Sequence, residues 1–270
     1  MQTSGSIQVP PQFSSVIGLG VPIRVFLPSA GQRWGSAIFG ALFLGGSLIV
    51  ALWGLYYTFD QVDKHGPAVF QKTITTPAIF TLIMVVIGIF LLWSAVNNWN
   101  KAVVLYQKGL AYNSFKGVQD WRWEDVHYFF LSITKHYYNG VPTGTTHIYT
   151  MQKADGSRLV LSDTFSKVEE LGDAIQKNVF SFQYERIVNM IKQGQPVVLG
   201  PIMLNKDGIQ MDKKTYAWGE VEQIGIQRGL VSIKKRGGGW FSGASTQVAR
   251  IPNLNPLLAV VDQIVKVKAG

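Results

Sequence analysis

The run Lys234-Lys235-Arg236, followed by Gly237 to Gly239 and then Trp240-Phe241, combines residue types that can do surface chemistry. Three adjacent cations attract an anionic bilayer, each contributing about 1 kcal/mol near such a surface. The glycines make a mobile tip, and aromatic side chains exposed there are costly unless something receives them. Contact with anionic lipid, contact with a protein partner, and folding back onto the body of the chain all account for this composition. Nucleic acid is not expected, because cations and aromatics are not interleaved along one strand face.

Other chemistry-bearing residues have plainer explanations. Asp60, Asp63 and His65 have the right ligand types for a metal, but a fourth ligand is missing, and a connecting loop must be polar in any case. His127, His136 and His147 lie on or near strands that hairpins bring together, yet His127 sits in an aromatic run as a core or edge residue would. Glu169, Glu170 and Asp173 fall in the first turns of a helix, where acids complement the dipole. Walker loops, nucleophile elbows, HExxH and dinucleotide-binding glycines are absent from the sequence. With no cysteine, disulfides and thiolate catalysis are excluded. No enzymatic activity, cofactor or metal is expected.

The elements that must position these residues begin with two apolar runs. Trp34 to Phe59 is 26 residues without a charge and Thr73 to Asn100 is 28. At about 1.5 Å per residue, a helix over either run crosses a hydrocarbon core of about 30 Å. With only Asp60 to Lys72 between them, the two runs form a membrane hairpin, with helices about 34–59 and 75–98. A cleavable leader fits poorly, because the run is too long and no small-residue cleavage site follows it. Ser36, Gly40, Ala41, Gly45 and Gly46 make a small-residue stripe suited to packing against Leu82, Val86, Ile89 and Leu92 of the second helix, or against another copy. Trp34, Trp53, Tyr56, Tyr57, Trp93 and Trp99 crowd the ends of the runs, where headgroups lie. Arg24, Arg33, Lys101, Lys108 and Lys116 flank the hairpin, against Lys64 and Lys72 in its loop, which puts both termini in the cytoplasm.

From residue 101 onward the pattern changes to strands and then a helix, twice over. Val103-Val104-Leu105 with Gln107-Lys108-Gly109-Leu110 matches Ile202-Met203-Leu204 with Lys206-Asp207-Gly208-Ile209. Trp123-Glu124-Asp125-Val126 matches Trp218-Gly219-Glu220-Val221. A helix with Ser166 and Glu169 as capping box, and a second helical stretch Tyr184 to Lys192, close the first copy. Asn255-Pro256 opens a helix Leu257 to Val267 that closes the second. The expected domains are an N-terminal arm at 1–33, partly disordered, the hairpin at 34–100, and units at 101–195 and 196–270. Each unit reads as five or six strands, with Pro196 to Leu199 available as one strand more.

Two membrane helices followed by [VI]-x-L-x-x-[KD]-G-[LI], a W-x-[DE]-[VI] strand entry and a closing helix resemble the bacterial pleckstrin-homology-like membrane proteins. The resemblance spans residues 16 to 268. It implies an α+β membrane protein whose hairpin is followed by two small antiparallel barrel or sheet units, each a bent structure of about seven strands plugged by its last helix. It also implies binding of anionic headgroups through a basic loop, and here the cations lie late in the copy instead of in its first hairpin. The expected function is membrane-anchored binding or scaffolding at the cytoplasmic face, with the bilayer, a protein partner or a second copy as partners. The alternative is an accessory subunit of a transporter or envelope enzyme complex, docking through the hairpin.

Overall fold

The computed structural model describes residues 8–238, 243–265 and 267–269. The chain is mixed α+β, two long apolar helices followed by antiparallel sheets. Its contacts separate into one unit of Met1–Ser15, Val25–Val104 and Tyr112–Gln119, and another of Val16–Arg24, Leu105–Ala111 and Asp120–Gly270.

In the first unit, α1 (Ala30–His65) starts at Ser29, whose hydroxyl accepts from Gln32 N at 3.3 Å. It runs well past Phe59, so Asp60, Asp63 and His65 lie in its last turns and not in a loop, and Asp60 pairs with Lys64 one turn on at 2.8 Å. Gly66, at φ 83°, ends it. The return helix α2 (Phe70–Trp99) carries Pro77 in its second turn. The buried seam uses Gly40, Ser47, Gly54 and Thr58 of α1, with Pro77, Gly88 and Ala95 of α2. Seven-residue spacing keeps small residues on one face as the helices cross.

This differs from the expected stripe. Leu82, Val86 and Ile89 point outward, more than half exposed, and Gly45 faces open space. The contact centres on Gly40 and Gly88. A Cβ on Gly40 would lie 2.9 Å from Leu92 and 3.1 Å from the Gly88 carbonyl, and one on Gly88 would lie 2.8 Å from Leu44. Gly88→Leu is therefore expected to weaken the hairpin by about 1–3 kcal/mol, as overpacking does. Gly45→Leu should leave it unchanged. Detergent-unfolding midpoints of the two variants check this.

Strands fill the rest: β1 (Pro22–Phe26), β2 (Ala102–Tyr106), β3 (Gly109–Ser114), β4 (Gly117–Arg122), β5 (Val126–Tyr138), β6 (Val141–Lys153) and β7 (Arg158–Ser162), closed by α3 (Val168–Lys192). The chain then repeats the series with β8 (Val197–Leu199), β9 (Ile202–Leu204), β10 (Gly208–Met211), β11 (Lys214–Ala217), β12 (Val221–Gln227), β13 (Leu230–Lys235) and β14 (Ala244–Gln247). It closes with α4 (Leu254–Val261) and β15 (Val267–Ala269). The sheets are β1-β2-β3-β4, β5-β6-β7, β11-β10-β9-β8 and β14-β13-β12-β15, the last strand parallel to its neighbour.

The arm is thus partly structural. Residues on either side of the hairpin pair, with Gln107 N donating to Val21 O at 3.2 Å and Lys108 N to Leu19 O at 3.0 Å. Phe13, in a short 3-10 turn of the segment expected to be disordered, is buried. Each strand series holds four strands, a 3-10 turn and three strands, more than the five or six expected. Among the described residues no sheet closes into a barrel. The 3-10 turns Trp123–Asp125 and Trp218–Glu220 interrupt the run between the fourth and fifth strands of each series, so no ladder crosses there.

Three local expectations are corrected. The N-cap of α3 is Lys167, at φ 59°, one residue after the expected Ser166. That helix is one 25-residue element, because Val179 and Gln183 continue the buried face of Leu171 and Ile175 to Ile187. Helix α4 begins at Leu254 after Asn253, at φ 53°, and the chain has left it by Val267, which lies in β15. Asn139-Gly140 makes a two-residue turn between β5 and β6, with φ 48° and 80°, and strand pairing resumes at Val141.

Candidate functional site

The landmarks Gly109, Trp123, Gly208 and Trp218 have matching geometry. The Trp123 amide donates to Lys108 O at 3.1 Å, and the Trp218 amide to Asp207 O at 3.1 Å. Each indole Nε1 donates to a carbonyl of the adjacent turn, Trp123 to Gln107 at 3.2 Å and Trp218 to Asn205 at 3.1 Å. Gly109 and Gly208 are required because a Cβ would collide with the carbonyls of Trp121 and Tyr216, respectively, on the facing strand. The environments are not equal. Trp123 is 3 % exposed, whereas Trp218 is half-buried.

Lys234 and Lys235 lie at the end of β13. Both are committed to carboxylates on or next to β12: Lys234 Nζ to Glu222 at 2.6 Å and Lys235 Nζ to Glu220 at 3.0 Å. The Lys235 hydrogen bond, with help from the Ala217 amide, holds the Glu220 carboxyl below the usual carboxylate range. Arg236 uses its backbone N–H on Glu220 O at 2.7 Å, and among the described residues its guanidinium forms no ion pair. Trp240 and Phe241 lie outside the described residues.

The three histidines are not brought together. His136 Nε2 meets Thr146 Oγ1 at 2.7 Å near the β5–β6 turn. Burial and Arg186 lower the pKa of His127, against the pull of Asp125. His147 is 7 % exposed and held at both ring nitrogens: Nδ1 lies 3.0 Å from Asp163 Oδ1 and Nε2 lies 2.9 Å from Glu169 Oε1. Its amide also donates to Asp163 Oδ2 at 2.8 Å. Glu169 thus faces a histidine in addition to the helix dipole. Beside it, burial pushes the Tyr149 hydroxyl up to about 12, with Asp173, Glu169 and Asp163 adding to the rise.

Two residues that the sequence reading passed over organise this region. Arg186 donates from α3 to Glu124 O at 3.2 Å and to Val126 O at 3.4 Å, pinning the helix to the start of β5. Asn253 acts as a one-residue strand on the free edge of β5. Its amide donates to Phe129 O, its Oδ1 accepts from Phe129 N, and its Nδ2 donates to His127 O, all at 2.8 Å. No local pattern marks Asn253 for this role, since its partners lie more than 120 residues earlier in the chain.

What the arrangement offers is a set of ordered, polar surfaces on two similarly built strand series, with no nucleophile–base pair among the interactions described. No curated protein matches the chain. The model of a family of unknown function, DUF6585, matches residues 7–269; the chain belongs to that family.

Proposed function

We propose that this is an integral membrane protein that holds two pleckstrin-homology-like units in tandem at the cytoplasmic face, as a non-enzymatic binding or scaffolding platform. The observation that carries the reading is the outer surface of the helix pair. In the most apolar window of α1 17 % of residues are buried, and 11 % in that of the return segment, whereas a core helix of a soluble protein is mostly buried. Leu42, Leu48, Ile49 and Leu52 on α1, with Leu82 and Phe90 on α2, are each about three-fifths exposed or more. Such a surface is tolerated in lipid and aggregates in water.

The tandem reading rests on the repeated order of four strands, 3-10 turn, three strands and helix, and on the matched tryptophan hydrogen bonds. The open four-plus-three sheets stand in for the closed barrel. In this reading the loop after β13 meets anionic lipid or a protein partner, with Arg236 as its available cation and Trp240 and Phe241 as its apolar part.

The alternative, an accessory subunit docked through the hairpin, draws on an apolar cleft of about 660 Å³ along α1 and α2, lined by Val50, Trp53, Tyr57, Pro77, Phe80 and Met84. Its occupant would be a helix of the partner complex. Exchanging the hairpin for an unrelated one discriminates: a platform keeps its binding, and a docked subunit loses its partner.

Topology is tested with tags. A tag at either terminus should be protected from protease added to intact cells, and one inserted at His65 should be cut. An accessible C-terminus would overturn the cytoplasmic placement.

A further inference from the structure

We infer that the cleft between the β2–β3 turn and α3 binds a small phosphate-bearing anion. This cleft, about 720 Å³, is lined by Gln107, Lys108, Arg122, Trp123, Lys177 and Ser181 among others. Three cations from three different elements line it, against the single carboxylate of Glu124. Lys108 and Lys177 pair with no acid among the described residues, and Arg122 reaches Glu124 only at 3.5 Å, with both side chains more than half exposed. A long, solvated pair of that kind contributes little and is readily exchanged for a better acceptor. A guanidinium fork beside two ammonium groups, with a hydroxyl nearby, is the donor set that recognises phosphate.

The walls are fixed in advance. Trp123 ties the turn through its amide to Lys108 O and its indole to Gln107 O, and Arg186 ties α3 to the backbone at Glu124 and Val126. Binding therefore does not have to order the backbone of the turn or of the helix.

The second strand series supplies the internal comparison. Its turn is tied by the equivalent tryptophan amide bond, to Asp207 O, and by an indole bond to Asn205 O one position earlier in the turn. But Asp207 stands where Lys108 stands, and Ala217 precedes its tryptophan where Arg122 precedes Trp123. The fold is thus built without these cations, so Lys108 and Arg122 are surplus to its structural needs. The inference stands apart from the membrane reading, because the site lies within one unit and its test reads ligand binding and not topology.

The test uses the full chain in phosphatidylcholine nanodiscs titrated with inorganic pyrophosphate by calorimetry. Saturable binding at one site is expected. Lys108→Ala and Lys177→Ala should each weaken it about tenfold, as loss of a charge-assisted contact does, and the double variant further. Lys234→Ala should leave it unchanged. Lys108→Gln, which keeps most of the side-chain volume, should weaken it as Lys108→Ala does, with an unaltered melting midpoint. Repeating the titration in discs containing phosphatidic acid separates the sources. Loss of pyrophosphate binding there identifies a lipid headgroup as the occupant, and retained binding identifies a free phosphate compound. Absence of saturable binding in phosphatidylcholine discs would overturn the inference, as would binding indifferent to the Lys108/Lys177 double change.

Discussion

Asn253→Ala is expected to destabilise the strand-rich unit by about 2–5 kcal/mol, among the largest single-residue effects in the chain. The side chain is 4 % exposed and makes two hydrogen bonds to the edge of β5. Removing it leaves the Phe129 N–H and the His127 carbonyl without these partners, and each buried orphan costs about 1–3 kcal/mol. Alanine is also ill suited to φ 53°, where asparagine is tolerated. Two further variants separate the contributions. Asn253→Gly relieves the backbone but not the lost bonds, so it should recover only part of the loss. Asn253→Asp keeps the acceptor for Phe129 N and sets a carboxylate oxygen against the His127 carbonyl, so it should remain well below the native protein at neutral pH. Chemical denaturation of all three gives the comparison. A melting midpoint for Asn253→Ala equal to the native one would show that β5 does not depend on this residue.

Asn253 also illustrates which parts of the structure were legible in the sequence. The helical hairpin was, because two long uncharged runs leave few alternatives; only their extent was misjudged, since the charges at Asp60 to His65 continue the helix. Gly109, Gly208 and the tryptophans were legible as a pattern because tight strand crossings demand those residue types locally. Three features depend on partners far away in sequence and left no local trace. The expected N-terminal arm at 1–33 contains β1, whose pairing partner lies beyond the whole hairpin. Helix α3 looked like two pieces because its polar residues around Asn178 resemble a break, yet Val179 keeps the buried face in phase. Lys234 and Lys235 looked like free cations because the acids that meet them lie across a hairpin, twelve residues from the one and fifteen from the other. Of the cations lining the proposed phosphate cleft, Lys108 enters the sequence reading as a topology marker alone, because nothing local joins it to Arg122 and Lys177.

Gly172→Ala is the second substitution expected to be severe, at about 2–4 kcal/mol. The helix passes Tyr149 of β6 at this point, and a Cβ on residue 172 would collide with the Cζ end of the aromatic ring. That ring cannot swing away cheaply. It is 3 % exposed and lies between Phe129, at a centroid distance of 6.1 Å, and His147, at 6.5 Å, both nearly parallel to it. Moving it would also disturb the imidazole held by Asp163 and Glu169, so one methyl group strains a stack and a hydrogen-bonded cluster together. In a helix interior Gly→Ala ordinarily stabilises by about 1 kcal/mol, so the sign of the effect is itself diagnostic. The double-mutant cycle is the decisive measurement. Tyr149→Leu alone should cost about 2–4 kcal/mol through lost burial. In that background Gly172→Ala should become nearly neutral, because the obstructing ring is gone, giving a coupling of 2 kcal/mol or more. Additive losses, or a stabilising Gly172→Ala in the native background, would mean that helix α3 does not approach β6 as closely as this packing requires.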